Sequence, residues 1–230
     1  MVNLYKNIVR IKVLAEALEK LNHNIVFVGG AVVELYCDDP ARGESRPTDD
    51  VDIVIELLNR GSHAELEEEL RKIGFRNDID SKVICRYKYH DIVVDIMPTD
   101  AEILGFTNNW YKDGIKNCTK FDLDNGRSIQ IFSICYFLAS KLEALKSERH
   151  GKDYRFNSDF EDIIYLFDNR MNIKNEILES EGDIKLYLQA ALNALLKRAY
   201  IEEEISSNLG YSNIPKRQER IVSIWKSIIS

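Results

Sequence analysis

The chain has 230 residues, 45% of them hydrophobic and 30% charged, with a net charge of −7 at pH 7. That composition supports a buried core and excludes a disordered chain, and the acidic balance excludes bulk attraction to nucleic acid. The surplus acid is uneven: residues 1–130 hold 17 basic and 23 acidic side chains, a net of −6, against −1 for residues 131–230.

Leu4, Ile8, Ile11, Leu14, Leu18 and Leu21 recur at helical spacing and predict an amphipathic helix, ended by Asn22-His23-Asn24. The apolar run 25–28 predicts a strand, Gly29-Gly30 a turn, and 31–36 a short helix. A polar loop over 38–47 leads into Thr48-Asp49-Asp50-Val51-Asp52-Ile53-Val54-Ile55, which reads as a strand. A helix with an acidic, solvated face is predicted at 63–73. Residues 82–88 and 92–97 read as two strands joined by a tight turn near Tyr89-His90-Asp91, with Val93 and Asp95 on one face of the second. Asn125-Gly126 between 121–123 and 128–132 signals a hairpin. Helices follow at 134–148, 158–169, 183–205 and 216–229. The fold class is therefore α/β (α+β): a mixed sheet with flanking helices over 1–130, then a helical domain over 131–230.

Cys37, Cys85, Cys118 and Cys135 are too far apart for a CxxC metal motif, and a chain of this length needs no disulfide framework, so reduced thiols are expected. Lys6, Arg10 and Lys12 interrupt the apolar residues at the N-terminus, which gives no signal-peptide pattern, and no apolar run approaches a membrane span. A cytoplasmic protein without membrane contact is the expectation.

The chemistry concentrates around 28–52. Side chains two apart on a strand share a face, so Asp50 and Asp52 point the same way while Val51, Ile53 and Ile55 point into a core. Asp95 is a lone carboxylate within an apolar strand, and an unpaired buried carboxylate is expensive. Carboxylates of this kind are the ligands Mg²⁺ takes together with substrate phosphates. Glycines at a helix start offer N–H groups to phosphate oxygens. Each signal alone is weak, since Gly-Gly marks turns and acids are common at strand starts. Asp49 reads as loop.

Taken in order, Val28-Gly29-Gly30, Asp50-Val51-Asp52 and Val94-Asp95-Ile96 resemble the hG[GS], D-h-[DE] and third-acid signature of the DNA polymerase β-type nucleotidyltransferase superfamily. The resemblance implies that Asp50, Asp52 and Asp95 bind two Mg²⁺ ions, with Mn²⁺ as a substitute, and that Gly29 and Gly30 contact the NTP. Within that superfamily, Arg46-Pro47-Thr48-Asp49-Asp50-Val51-Asp52 resembles the R-x-[ST]-x-D-h-D stretch of the AbiEii/AbiGii toxin-like nucleotidyltransferases, with Thr48 keeping the hydroxyl for the triphosphate.

Ile134, Phe137, Leu138, Leu142 and Leu145 form an apolar stripe with Lys141 in its middle. Such a lysine either snorkels to solvent or turns its ammonium to a site. Lys141-Leu142-Glu143-Ala144-Leu145 also resembles the K-L-x-A-L helix of the toxin-like family, which implies that Lys141 faces the triphosphate. Ser158 and Glu161 fit a capping box, and Asp159 suits the first helical turn. Asp159-Phe160-Glu161-Asp162-Ile163 resembles the family's D-h-x-D-h element, implying that Asp159 places Lys141 or the nucleotide, with Asp162 as its structural partner. Either Arg149 or Arg155 takes the place of the family's nearby arginine.

Lys146, Arg149, Lys152 and Arg155 form a basic loop that either guides NTP or an RNA end or is simply solvated. Lys197-Arg198, Lys216, Arg217 and Arg220 read as solvated helix faces, with an acceptor nucleic acid as the other reading. Trp110-Tyr111 and Trp225 read as packing residues, and the histidines show no metal spacing.

The resulting expectation is a metal-dependent nucleotidyltransferase with the NTP in a cleft completed by the helical domain. Asp50, Asp52, Asp95 and Lys141 are catalytic; Gly29, Gly30, Thr48, Lys141 and Asp159 bind the nucleotide. By resemblance it is a toxin-like component of a toxin–antitoxin or abortive-infection system, with RNA such as a tRNA 3′ end as acceptor and a cognate antitoxin as partner. The alternatives are a small-molecule, antibiotic-type nucleotidyltransferase and a catalytically silent, antitoxin-like binding module.

Overall fold

A computed structural model describes residues 2–57, 60–105, 107–124, 126–147, 151–210 and 212–230. Arg149, His150 and Asn125 lie outside the described residues. The chain divides into two compact units, one of residues 1–32 and 47–133, the other of 33–46 and 134–230.

In the first unit, alternating and continuous apolar runs build a seven-stranded mixed sheet. Its strands are β1 (Ile25–Val28), β2 (Asp50–Ile55), β3 (Arg76–Asn77), β4 (Arg86–Tyr89), β5 (Ile92–Pro98), β6 (Cys118–Asp122) and β7 (Ser128–Phe132). The order is β3-β4-β5-β2-β1-β7-β6. β2, the central strand, runs parallel to β5 and antiparallel to β1, and the aspartates lie on β2 and its neighbour β5. Val26, Val51, Val54 and Val94 are fully buried, as strands covered on both sides require.

Helix α1 (Val2–Leu18) buries Ile11, Leu14 and Leu18, and α2 (Arg60–Lys72) buries Leu66 and Leu70. Two short helices, α3 (Ala101–Leu104) and α4 (Tyr111–Lys116), have too few turns to show a period in sequence. The tight turn before β5 is present, with His90 in the left-handed region at φ 50°. The strand expected over 82–88 begins only at Arg86, and β3 was not foreseen. The hairpin of β6 and β7 pairs Asp122 with Ser128, which leaves a five-residue loop rather than a two-residue one. Leu123 N–H closes it on the Arg127 carbonyl at 2.7 Å.

The second unit is helical: α5 (Ile134–Ala144), α6 (Ser158–Asn169), α7 (Ile173–Glu179), α8 (Asp183–Leu196), α9 (Ile201–Ser207) and α10 (Ile214–Ile229). The single helix expected over 183–205 is two, broken after Leu196, and α7 is additional. Trp225 is fully buried and meets Phe167 edge-on at 5.5 Å, a packing role. Residues 33–46 join this unit through Tyr36, stacked on Phe137 at 4.4 Å, and through the Asp38 and Asp39 N–H groups on the Asn169 carbonyl. Among the described residues no helix is long and apolar enough to cross a membrane.

Between β1 and a 3-10 helix (Gly30–Tyr36) stands Gly29 at φ 72°. A Cβ added there would lie 1.8 Å from the Asp52 carboxylate oxygen Oδ2. The glycine is therefore required twice, by its backbone and by the side chain that lies over it. Gly29→Ala should lower the unfolding free energy by about 2 kcal/mol or more, read from the urea midpoint. Gly43→Ala, where a Cβ meets nothing within 4 Å, should change it by less than about 0.5 kcal/mol. Equal losses would show that room for Asp52 is not the constraint.

Candidate functional site

In the first unit the cross-strand register places the acids. Val28 pairs with Asp52, Asp52 with Asp95, and Asp95 with Arg86, one row across β1, β2, β5 and β4. Directly paired residues share a face, and Asp50 lies two residues along β2 on that same face. All three expected carboxylates thus lie on one side of adjacent parallel strands, just past the Gly29 turn.

The fourth member of the row was not expected. The Arg86 guanidinium grips Asp95 with both prongs, Nε to Oδ1 at 2.8 Å and Nη2 to Oδ2 at 2.8 Å, and its Nη2 also reaches Asp50 Oδ2 at 2.7 Å. Hydrogen bonding to Asp95, then the charges of Asp95, Asp50 and Asp52, hold the Arg86 pKa above the ordinary arginine range against burial. Next to it, the Cys85 thiol is pushed up to about 12 by burial and by Asp95, so it stays protonated. All four cysteines are free.

The backbone before β2 is held by a residue that the sequence pattern presents only as an interruption. Arg10, buried on α1, donates from Nη1 to the Thr48 carbonyl at 2.9 Å and from Nη2 to the Asp49 carbonyl. Thr48 is buried, and its hydroxyl donates to the Asp50 carbonyl at 3.1 Å and lies 3.5 Å from the Asn7 side-chain amide. Thr48 therefore spends its hydroxyl on the start of the aspartate strand. Asp49 is exposed. Gly30 is buried at the first position of the 3-10 helix.

In the second unit Lys141 does not snorkel. Its ammonium donates to Asp159 Oδ1 at 2.9 Å, lies 2.7 Å from Asp162 Oδ2, and sits 5.9 Å from the centre of the Phe137 ring. Burial lowers its pKa, but the charges and hydrogen bonds of Asp162 and Asp159 raise it by more, so the amine stays cationic. Asp162, with 1% of its side chain exposed, is the hub: Arg46 reaches it bidentately, Nε to Oδ1 at 2.9 Å and Nη2 to Oδ2 at 3.1 Å. Two cations and two anions are thereby balanced.

The N-cap of α6 is Asn157 and not Ser158. The Asn157 side chain accepts the Asp159 and Phe160 N–H groups at 2.9 and 3.0 Å. Asparagine and serine cap equally well, so residue type alone does not separate neighbouring candidates. Arg155 is engaged at the surface by Asp153 and Glu203, both at 2.7 Å, and the position of Arg149 is outside the described residues. Arg217 and Arg220 converge on buried Asp168, and Arg198 holds Glu204. The arginines thus tie helices of this unit together, while Lys197, Lys216 and Arg220 are exposed on their helix faces, as the sequence reading expected. A polar cavity of about 770 Å³ in this unit is walled by Arg46, Glu161, Asp162, Lys216 and Arg217. Its arginines are spent on Asp162 and Asp168.

The carboxylates of the first unit are the donor type Mg²⁺ takes, but their arrangement does not fit the ion: Nη2 of Arg86 stands between Asp50 and Asp95. Among the described residues no group of three or more acidic, histidine or cysteine side chains is gathered to hold a metal.

No family model matches the chain, and no curated protein matches it. Among solved structures it is similar to the crystal structure of an antigenic nucleotidyltransferase-like protein from Paracoccidioides brasiliensis. The two are 21% identical with a TM-score of 0.56, and the match covers 90% of this chain and 95% of that one. At that identity the likeness shows the fold, a nucleotidyltransferase-like one.

Removing Asp162 takes away the one carboxylate that Lys141 and Arg46 both contact. Asp162→Ala should cost about 3–5 kcal/mol of stability, measured by denaturant unfolding. Glu161 gives a pH signature. Burial raises its pKa, Arg46 opposes and Asp162 adds. A carboxyl raised in the fold contributes stability that is full below the ordinary value near ~4.3 and lost as pH climbs through the raised one. Glu161→Gln should therefore raise Tm at pH 7, with the gain shrinking toward zero near pH ~4. A gain equal at both pH values would refute the burial argument.

Proposed function

We propose that the chain is a nucleotidyltransferase that moves NMP from an NTP to an acceptor hydroxyl. The observation that carries this is the row on which Asp52 and Asp95 lie side by side in parallel strands, with Asp50 on the same face and the Gly29 turn at its end. The nucleotidyltransferase-like fold supports it. The acceptor oxygen attacks the α-phosphorus, its proton goes to Asp95, the bond to the bridging oxygen breaks, and pyrophosphate leaves. Asp50, Asp52 and Asp95 are the donor type that a divalent ion such as Mg²⁺ or Mn²⁺ would need to neutralise phosphate charge, and they could serve it only with Arg86 off Asp50 and Asp95. Gly29 and Gly30 offer backbone N–H groups to the triphosphate. Thr48 acts by fixing the start of β2. Lys141, placed by Asp159, would meet a phosphate only by exchanging a carboxylate for it.

The finer reading comes from the motif resemblance. The acceptor is an RNA, such as a tRNA 3′ end, and the protein is a toxin-like component with a cognate antitoxin. One observation favours a second reading, a catalytically silent binding module: the guanidinium of Arg86 spans two of the three acids, as a site retired from catalysis would retain it.

Incubation with each α-labelled NTP, Mg²⁺ or Mn²⁺ and total RNA separates these readings. The transferase reading expects label on RNA, reduced about a hundredfold or more by Asp50→Ala. Label on protein alone would replace the acceptor, and no label anywhere would favour the silent module.

A further inference from the structure

The polar cavity of about 770 Å³ lies wholly within the second unit. Helix α6 forms one wall, the segment 39–46 a second, and the turn after α9 with the first turns of α10 a third. The walls are tied to one another. The Tyr165 hydroxyl on α6 donates to the Gly43 carbonyl at 2.8 Å. Arg217 Nη1 on α10 donates to the Gly210 and Ser212 carbonyls at 2.9 and 3.0 Å. A cavity of this size with fixed walls is of the kind that takes a small molecule.

Its two ends carry opposite surplus charge. At one end stands Glu161. Beside it Asp162 is already matched by Arg46 and Lys141. Glu161 is half-buried, yet among the described residues its carboxylate has no ion pair and no hydrogen bond. Burial raises its pKa, so the carboxylate is held at a cost in stability that no contact in the fold returns. Departures of that kind are expected where a residue serves a ligand. Asp168 follows seven residues later on α6, about 10 Å along the helix axis. There Arg217 and Arg220 share one carboxylate, which leaves positive charge in excess. Lys216, beside them in the first turn of α10, adds to it and has no ion-pair partner among the described residues. A lysine in a first helical turn opposes the helix dipole, so helix stability does not account for it.

We propose that this cavity binds a small zwitterion, with its ammonium against Glu161 and its carboxylate against Lys216 and Arg220. A ligand with one charge would satisfy one end and leave the other unmatched. A linear amino acid with its charges at opposite ends of the chain meets both. The proposal holds whether or not the acid row on β2 and β5 is catalytic.

The test is calorimetric titration of the full chain with three probes of similar length: 6-aminohexanoate, which carries both charges, hexylamine, which carries only the ammonium, and hexanoate, which carries only the carboxylate. 6-Aminohexanoate should bind about tenfold more tightly than either of the others, the scale of one charge-assisted hydrogen bond. Glu161→Gln should weaken 6-aminohexanoate and hexylamine about tenfold and leave hexanoate unchanged. Lys216→Gln should weaken 6-aminohexanoate and hexanoate and leave hexylamine unchanged. Neither variant breaks an ion pair of the fold, so both should remain folded. Hexylamine or hexanoate binding as tightly as 6-aminohexanoate overturns the proposal, because one charge then suffices. So does 6-aminohexanoate binding that neither substitution alters, or the lack of any binding below about 10 mM.

Discussion

Carboxylates crowded into half-dry places must be matched by cations, and each unit of this chain meets that requirement with its own set. In the first, sheet register forces Asp52 and Asp95 together, Asp50 follows by alternation, and Arg86 spans Asp50 and Asp95. In the second, Asp159 and Asp162 are matched by Lys141 and Arg46. Such clusters gain little net stability over an apolar core of the same shape, but losing one member leaves an uncompensated charge. Their geometry is therefore enforced by the penalty for breaking them.

The scaffolding around the aspartate strand follows the same logic. Arg10 turns a buried guanidinium toward two carbonyls that would otherwise lack donors, and Thr48 closes a third. Residues that a motif presents as ligand grips are here anchoring the strand that carries the acids. Gly29 belongs with them. Beside its proposed contact with phosphate, the missing side chain is what lets the Asp52 carboxylate lie against the turn. A motif records which residue types occur together; it does not distinguish touching a ligand from holding the residue that does.

Much of this was legible from residue pattern alone. Period-two alternation put Asp50 and Asp52 on one face, and the apolar run 25–28 gave β1 with its ends. The Arg86–Asp95 pair was also within reach, because a two-residue turn at His90-Asp91 fixes every pairing upstream. What stayed hidden had no local signal. Arg46 and Asp162 are 116 residues apart, and nothing in their neighbourhoods names the other. The break after Leu196 and the extra helix α7 carry no Gly or Pro signal that periodicity would register: Lys197 closes α8 and Asn172 precedes α7. The cap moved by one residue because adjacent Asn157 and Ser158 are both good caps, and the choice depends on which one the fold holds extended.

The pairing also bears on how an anionic substrate would be recognised. The chain carries a net charge of −7, and residues 1–130 hold most of the surplus acid. At both clusters the cations are already committed to carboxylates: in the second unit two face two and their fields largely cancel a short distance away, while in the first the three carboxylates outnumber Arg86 and the local field stays negative. Long-range steering of a triphosphate by Arg86 or Lys141 is therefore weak. Any affinity these side chains lend must arise at contact, when a phosphate oxygen takes the place of a carboxylate oxygen. Exchange of that kind leaves the number of charge-assisted hydrogen bonds roughly constant and changes their partners. It favours a ligand that brings its own counter-ion to the carboxylates it displaces, and disfavours a bare anion.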